Sequence, residues 1–289
     1  MDAYGIRCEN DLKIAENLLN DVLVKKTKAD LDRMTEKGPM GVRRRLLSSS
    51  VRLSRSMSPS VHKMADHCVQ TLGVDIPLEL YAYASPQFNA ACFKPEDGRL
   101  FVIFSSSLLE AFDENELMFV VGHELGHHVY QHHDIPVGYI ANGQQKVTAS
   151  LALQLFAWTR YAEISADRAG AFCANDLGSV AQALFKLASG LTSERIVSFN
   201  LSEFLQQMDE MQAVDAEPGQ GAPVEDWFST HPFSPLRVKA LQLFHQSDLM
   251  QEGGIGKPEL EIGVQGMMGM MEPNYLEGRT KVAKIMGQL

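Results

Sequence analysis

A chain of 289 residues with 45% hydrophobic content is long enough to bury a substantial core in one or two domains. Its formal charge of −10 argues against generic nucleic-acid binding. Cys8, Cys68, Cys92 and Cys173 are scattered with no C-x-x-C, and Met1–Asn20 carries no secretory pattern, so free thiols and a cytoplasmic location are expected.

Residues 1–70 read as a basic helical arm. Leu12, Ala15, Leu19 and Val22 mark a helix ending near Lys28, and a second run starts at Ala29. Gly38-Pro39 and Gly41 interrupt the helical pattern. Arg43-Arg44-Arg45, Arg52 and Arg55 form a charged face. Such a face is either solvated or a contact for an acidic partner, an anionic membrane surface or the acidic body of the same chain.

From Asp75 the period changes to two. Leu78–Tyr83, Phe88–Phe93 and Leu100–Phe104 read as strands, with Lys94–Gly98 as a turn. An edge strand of such a sheet can pair with the main chain of an extended peptide. Asp113 then reads as a helix N-cap with Glu116 completing a capping box, and Leu117, Val120, Val121 and Leu125 form a core-facing stripe.

That helix carries His123-Glu124-Leu125-Gly126-His127. Residues four apart share one helical face, so His123 and His127 can offer two imidazole nitrogens to one cation. Glu124, about 100° around the helix, can sit beside the metal as a base. Two ligands, a base and room for water are what a hydrolytic zinc site requires. His128, His132 and His133 are expected to continue the helix and complement its dipole at the last turn.

The longest apolar run beyond the motif, Val147–Trp158, is interrupted by Thr148, Ser150 and Gln154. It falls short of the roughly 20 residues needed to span a bilayer, so no transmembrane segment is expected. Glu163 and Asp167 follow at i, i+4 among the small residues Ala162, Ala166, Ala169 and Gly170. On an idle helix this like-charge pair is mildly unfavourable. Beside a dication, Glu163 can ligate and Asp167 can accept the free ring N–H of a ligating histidine. Helices are expected from Gly178 to about Ala188 and onward to Met211. Ala213–Pro223 reads as a flexible loop before His231, either a gate over the cleft or an ordinary surface loop. His231 precedes a helix capped by Ser234 with Pro235 at its first position and running to about Ser247; a loop histidine there can donate to an oxyanion. Residues 251–289 read as a Gly/Met-rich tail that is either partner-binding, self-inhibiting or merely irregular.

His123-Glu124-Leu125-Gly126-His127-His128, the Glu163/Asp167 helix and Thr230-His231-Pro232 with Arg237 together resemble the HtpX and CAAX prenyl endopeptidase family of zinc metallopeptidases, the gluzincins, over about residues 78–244. The resemblance implies an α+β, mainly helical, zincin-like catalytic domain at 71–250. It implies one zinc ion held by His123, His127 and Glu163, with Glu124 as general base and His231 assisting the transition state. Asp167 would support a histidine, and Arg237 matches a family arginine. Asn89, Ala90 and Ala91 resemble the family's substrate-binding edge strand, with Cys92 where an alanine is usual. The expected activity is metalloendopeptidase action on peptides or unfolded protein. The alternative is a latent or non-catalytic zinc protein that binds partners through its arm and tail.

Overall fold

The computed structural model describes residues 3–37, 41–141, 147–215, 226 and 229–272. The chain begins with helices α1 (Glu9–Asn20), α2 (Val22–Lys37) and α3 (Val42–Ser49), strand β1 (Val51–Leu53) and helix α4 (Pro59–Leu72). Strands β2 (Leu78–Tyr83), β3 (Ala90–Glu96) and β4 (Arg99–Ser105) follow. The rest is helical: α5 (Ser106–Ala111), α6 (Glu114–Val129), α7 (Val137–Ala141), α8 (Ala149–Ala174), α9 (Leu177–Ser189), α10 (Leu201–Asp215), α11 (Ser234–His245) and α12 (Lys257–Met268). The fold is therefore α+β and mainly helical, with one four-stranded sheet in the order β1-β2-β4-β3. β2 and β4 run parallel, the outer pairs antiparallel, and β3 is an edge that lies against α6.

Helices α6 and α8 form the centre. Both are buried over most of their length, and small residues set their separation. A Cβ on Gly126 would lie 2.8 Å from Ala169 Cβ and 3.2 Å from Ala166 Cα, and one on Gly122 2.9 Å from Gly170 Cα. A Cβ on Gly170 would collide with the Phe119 carbonyl. The two backbones can approach this closely only because those side chains are missing or are methyls.

Several boundaries differ from the sequence reading. The break between α1 and α2 falls at Asp21, not near Lys28, because its carboxylate caps the N–H groups of Leu23 and Val24 at 2.8 and 3.2 Å. β3 runs on to Glu96, and the turn shrinks to Asp97-Gly98, both with positive φ (50° and 69°). α6 stops at Val129; Gln131 turns left-handed (φ 58°) and His132–Asp134 form a 3₁₀ turn. His132 and His133 therefore leave the helix instead of continuing it. Ser234 opens α11 and Phe233 is its cap. The strand β1 was not expected.

One core cluster draws on all three sequence regions: Ile6, Cys8 and Cys68, then Phe104, Val120 and Leu184, then Leu260, Val264, Met268 and Met271. Met268 and Met271 thus fill the core, and Met267 and Met270 pack against it half-buried. Arg43 pairs with Glu79 and Arg55 with Asp66, so part of the basic face is met by the chain's own acids. From Ala149 on, the Val147–Trp158 run forms the start of α8, with Thr148 as its N-cap, and Leu151, Leu155 and Trp158 are buried in a second cluster. Among the described residues no helix is long and apolar enough to cross a membrane. Gly38-Pro39 and the 216–223 part of the expected loop lie outside the described residues.

Candidate metal centre

The site forms where α6, α8 and the loop before α11 meet. The Asp113 carboxylate accepts the Glu116 N–H at 2.9 Å while the Glu116 carboxylate accepts the Asp113 N–H at 2.8 Å, so the expected capping box starts α6. Lys186 Nζ stands 2.7 Å from the same buried Glu116 and ties α9 to that start. Three turns on, His123 and His127 face Glu163 of α8.

The ligand-type atoms of His123, His127 and Glu163 all lie within 4.8 Å of one another. The two Nε2 atoms are 3.2 Å apart, and they stand 3.6 and 3.5 Å from Glu163 oxygens. Donor atoms at about 2.0–2.1 Å from one tetrahedral ion stand about 3.4 Å from each other, so the spacing suits a zinc-sized cation. Glu163 Oε2 is buried and accepts no hydrogen bond; the Arg237 guanidinium stands 3.7 Å away, too far to donate to it. A buried carboxylate oxygen left without a donor is costly unless a cation sits before it. The three residues therefore form a set that fits a metal.

Support comes from both sides. Asp167, on the next turn of α8, lies 2.9 Å from His123 Nδ1 and accepts two bonds from Arg237 of α11 at 2.8 and 2.6 Å. Burial alone would raise the Asp167 carboxyl; Arg237 and His123 hold it down at about 2. Burial would lower His123, but Asp167 and Glu163 outweigh it and raise the ring above its ordinary value. His127 goes the other way, well below the ordinary value, because burial and the neighbouring imidazoles all disfavour its charge. Its Nδ1 lies 2.8 Å from His132 Nδ1.

Glu124 points to the edge strand, where its Oε2 accepts the Cys92 N–H at 2.8 Å. Burial raises its carboxyl above the ordinary range, against the pull of His123. Ala90 and Ala91 lie on that strand beside it. Asn89 precedes the strand; its amide donates to Tyr83 Oη at 3.0 Å and its N–H to Ser105 Oγ at 3.1 Å. His231 is 61% exposed at the side chain with Nε2 3.5 Å from Glu163 Oε2, and its Nδ1 is 2.9 Å from Thr230 Oγ1. A cavity of about 610 Å³ opens beside His127 and Glu163, with Leu31, Val42, Phe93, Val137, Tyr139 and Trp158 among its walls.

The structure thus brings together His123, His127, Glu163, Asp167, His231 and Arg237, with Glu124 between them and β3. Sequence reasoning missed His132 and Asp11. Asp11 lies 112 residues before the motif with no spacing to announce it, and His132 was read as helical. Only the polar-turn composition after Tyr130 hinted that the helix stops.

The pattern of peptidase family M48 matches residues 56–159 and 137–244. The chain is 28% identical over 218 residues to the plastoglobule-localized metallopeptidase 48 of Arabidopsis thaliana, covering 70% of this chain and 61% of that one. It is 26% identical over 232 residues to a protease HtpX homolog of Ralstonia nicotianae, covering 68% and 77%. With an HtpX homolog of Tropheryma whipplei it shares 32% over 98 residues, about a third of each chain. This chain thus spans about three-fifths of the plant relative's length. No solved structure matches. With the family pattern running through the helix pair, the edge strand and the loop of His231, the chain belongs to peptidase family M48, the metallopeptidases.

Proposed function

We propose that the chain is a zinc-dependent endopeptidase of zincin-like fold, acting on extended peptides or unfolded protein. His123, His127 and Glu163 hold the ion. The observation that carries this reading is the convergence of two imidazole Nε2 atoms on the two oxygens of the Glu163 carboxylate, whose buried Oε2 accepts no hydrogen bond. A zinc ion held there lowers the pKa of a water and polarises a carbonyl.

The chain's own residues do the rest. Glu124 does not belong to the ligand set; the Cys92 N–H anchors one of its oxygens, leaving the other to take a proton from the attacking water. The same carboxyl then returns the proton to the leaving amine. With the Thr230 hydroxyl donating to His231 Nδ1, the ring proton would sit on Nε2, the atom facing Glu163, from where it donates to the developing oxyanion. Arg237 clamps Asp167, and Asp167 orients His123. The substrate backbone lies along the β3 edge, and the apolar cavity beside His127 accepts an apolar side chain next to the scissile bond. A structural metal site has no use for a base beside three ligands and usually closes with a fourth protein ligand, which disfavours a non-catalytic role.

Glu124→Gln tests the assignment. It keeps the volume and the bond from Cys92 but removes the base. Zinc content is expected to be unchanged while turnover of an unfolded protein falls by about 10²–10⁴. Full turnover by this variant overturns the reading.

A further inference from the structure

On the side of the site away from Asp167, a chain of buried polar groups reaches His127. His127 Nδ1 is 2.8 Å from His132 Nδ1, and His132 Nε2 is 3.0 Å from Asp11 Oδ2. Asp11 is fully buried in α1, His132 is 6% exposed, and both come from segments outside the motif. Asp11 is itself heavily engaged. Its Oδ1 accepts from Trp158 Nε1 at 2.9 Å and its Oδ2 from Ser165 Oγ at 2.7 Å, both residues of α8, and Arg7 bonds both oxygens at 2.7 and 3.1 Å. The Ser165 hydroxyl in turn accepts the Cys8 N–H at 3.1 Å.

With Asp11 ionised and His132 neutral, the chemistry of the donors fixes where the protons lie. An ionised carboxylate only accepts, so His132 Nε2 must carry a hydrogen. In the neutral ring, His132 Nδ1 is then an acceptor, and the hydrogen in the 2.8 Å contact belongs to His127 Nδ1. His127 Nε2 is left bare and aimed at Glu163. The Asp167 contact does the same for His123, so each ligating ring has its own support.

We infer that Asp11 and His132 are positioning residues for the metal site, a relay that locks His127 in the Nδ1–H tautomer and so makes the N-terminal helix part of the metal centre. The inference rests on the proposed role of His127 as a ligand. It also gives a use to the break in the helix: after the left-handed turn at Gln131 the His132 ring meets both His127 and Asp11.

The test uses the full chain and zinc itself. His132→Leu removes the acceptor; His132→Asn restores a carbonyl oxygen near the Nδ1 position. Zinc affinity, read by competition with a chromogenic chelator, is expected to fall about 10–100-fold in His132→Leu and to recover largely in His132→Asn. Nitrogen-15 ring shifts of His127 in the metal-free wild type report the tautomer without any variant and are expected to show Nδ1 protonated and Nε2 bare. Folded His132→Leu that binds zinc as tightly as wild type, or a His127 ring protonated at Nε2, overturns the relay. Wild type that binds no zinc overturns the metal site itself, a distinct result. A purely structural role for His132 would lower stability in both variants yet leave the His127 shifts unchanged.

Discussion

Gly126→Ala probes the helix spacing on which the site depends. The added Cβ would lie 2.8 Å from Ala169 Cβ, whereas ordinary contact begins at 3.4 Å, so α6 and α8 must separate by about 0.6 Å at this crossing. That crossing lies beside His127 and one turn from Glu163. Metal–ligand distances tolerate about 0.2 Å, so the displacement is about three times what the ligand set can absorb. Stability responds less. Overpacking costs about 1–3 kcal/mol, while replacing glycine inside a helix returns about 1 kcal/mol, leaving a net loss of about 0–2 kcal/mol. For a chain of this size that is a fall in Tm of at most about 8 °C. Zinc affinity is expected to drop at least about tenfold. Gly266→Ala is the control: it is exposed in α12 with nothing near its Cβ, and should stabilise by about 0.4–1 kcal/mol with zinc binding unchanged. Thermal unfolding and chelator competition on the three proteins read both quantities. Gly126→Ala with wild-type affinity and wild-type Tm would refute the claim that small residues at this interface set the metal geometry.

His231→Ala should lower kcat by about 10²–10³ with KM and zinc content nearly unchanged, since an oxyanion donor acts in the transition state; loss of zinc on that substitution would instead make His231 a ligand. Asp11 gives a pH signature. Burial opposes its charge, but His132 and Arg7 hold its carboxyl well below the ordinary range. Because the folded value is depressed, its stabilisation is present above about pH 4 and is lost as the pH falls through the depressed folded value. Asp11→Asn should therefore be less stable at neutral pH yet lose less stability between pH 4 and 2 than wild type. Parallel acid-unfolding curves would contradict this. Peptide libraries should show enriched cleavage beside apolar residues, and Trp158→Ala, which removes part of the cavity wall, should weaken that preference; an unbiased cleavage pattern in wild type would remove the cavity from the account.

The motif helix was legible because its information is local. The capping box, the apolar stripe and the i, i+4 histidines all lie within 15 residues, from Asp113 to His127. Glu163 and Asp167 were legible only because they follow the His123–His127 helix; alone, the pair reads as solvated acids on an Ala-rich helix. What escaped was set by partners distant in sequence. Asp11 looked like an ordinary acid on an amphipathic helix until Trp158, Ser165 and His132 closed around it. The methionines near the end of the chain read as a flexible segment because composition cannot say what a residue packs against, yet Met268 and Met271 are fully buried. The short β1 strand lacks any periodic signal at three residues and exists through its pairing with β2.

Anomalous diffraction at the zinc absorption edge, on crystals of the protein grown with stoichiometric zinc, tests the central claim most directly. The account predicts one strong peak per chain, about 2.0–2.2 Å from His123 Nε2, His127 Nε2 and a Glu163 oxygen, with Glu124 outside bonding distance. A peak bonded by a different set of residues, or none at this triad, would contradict it.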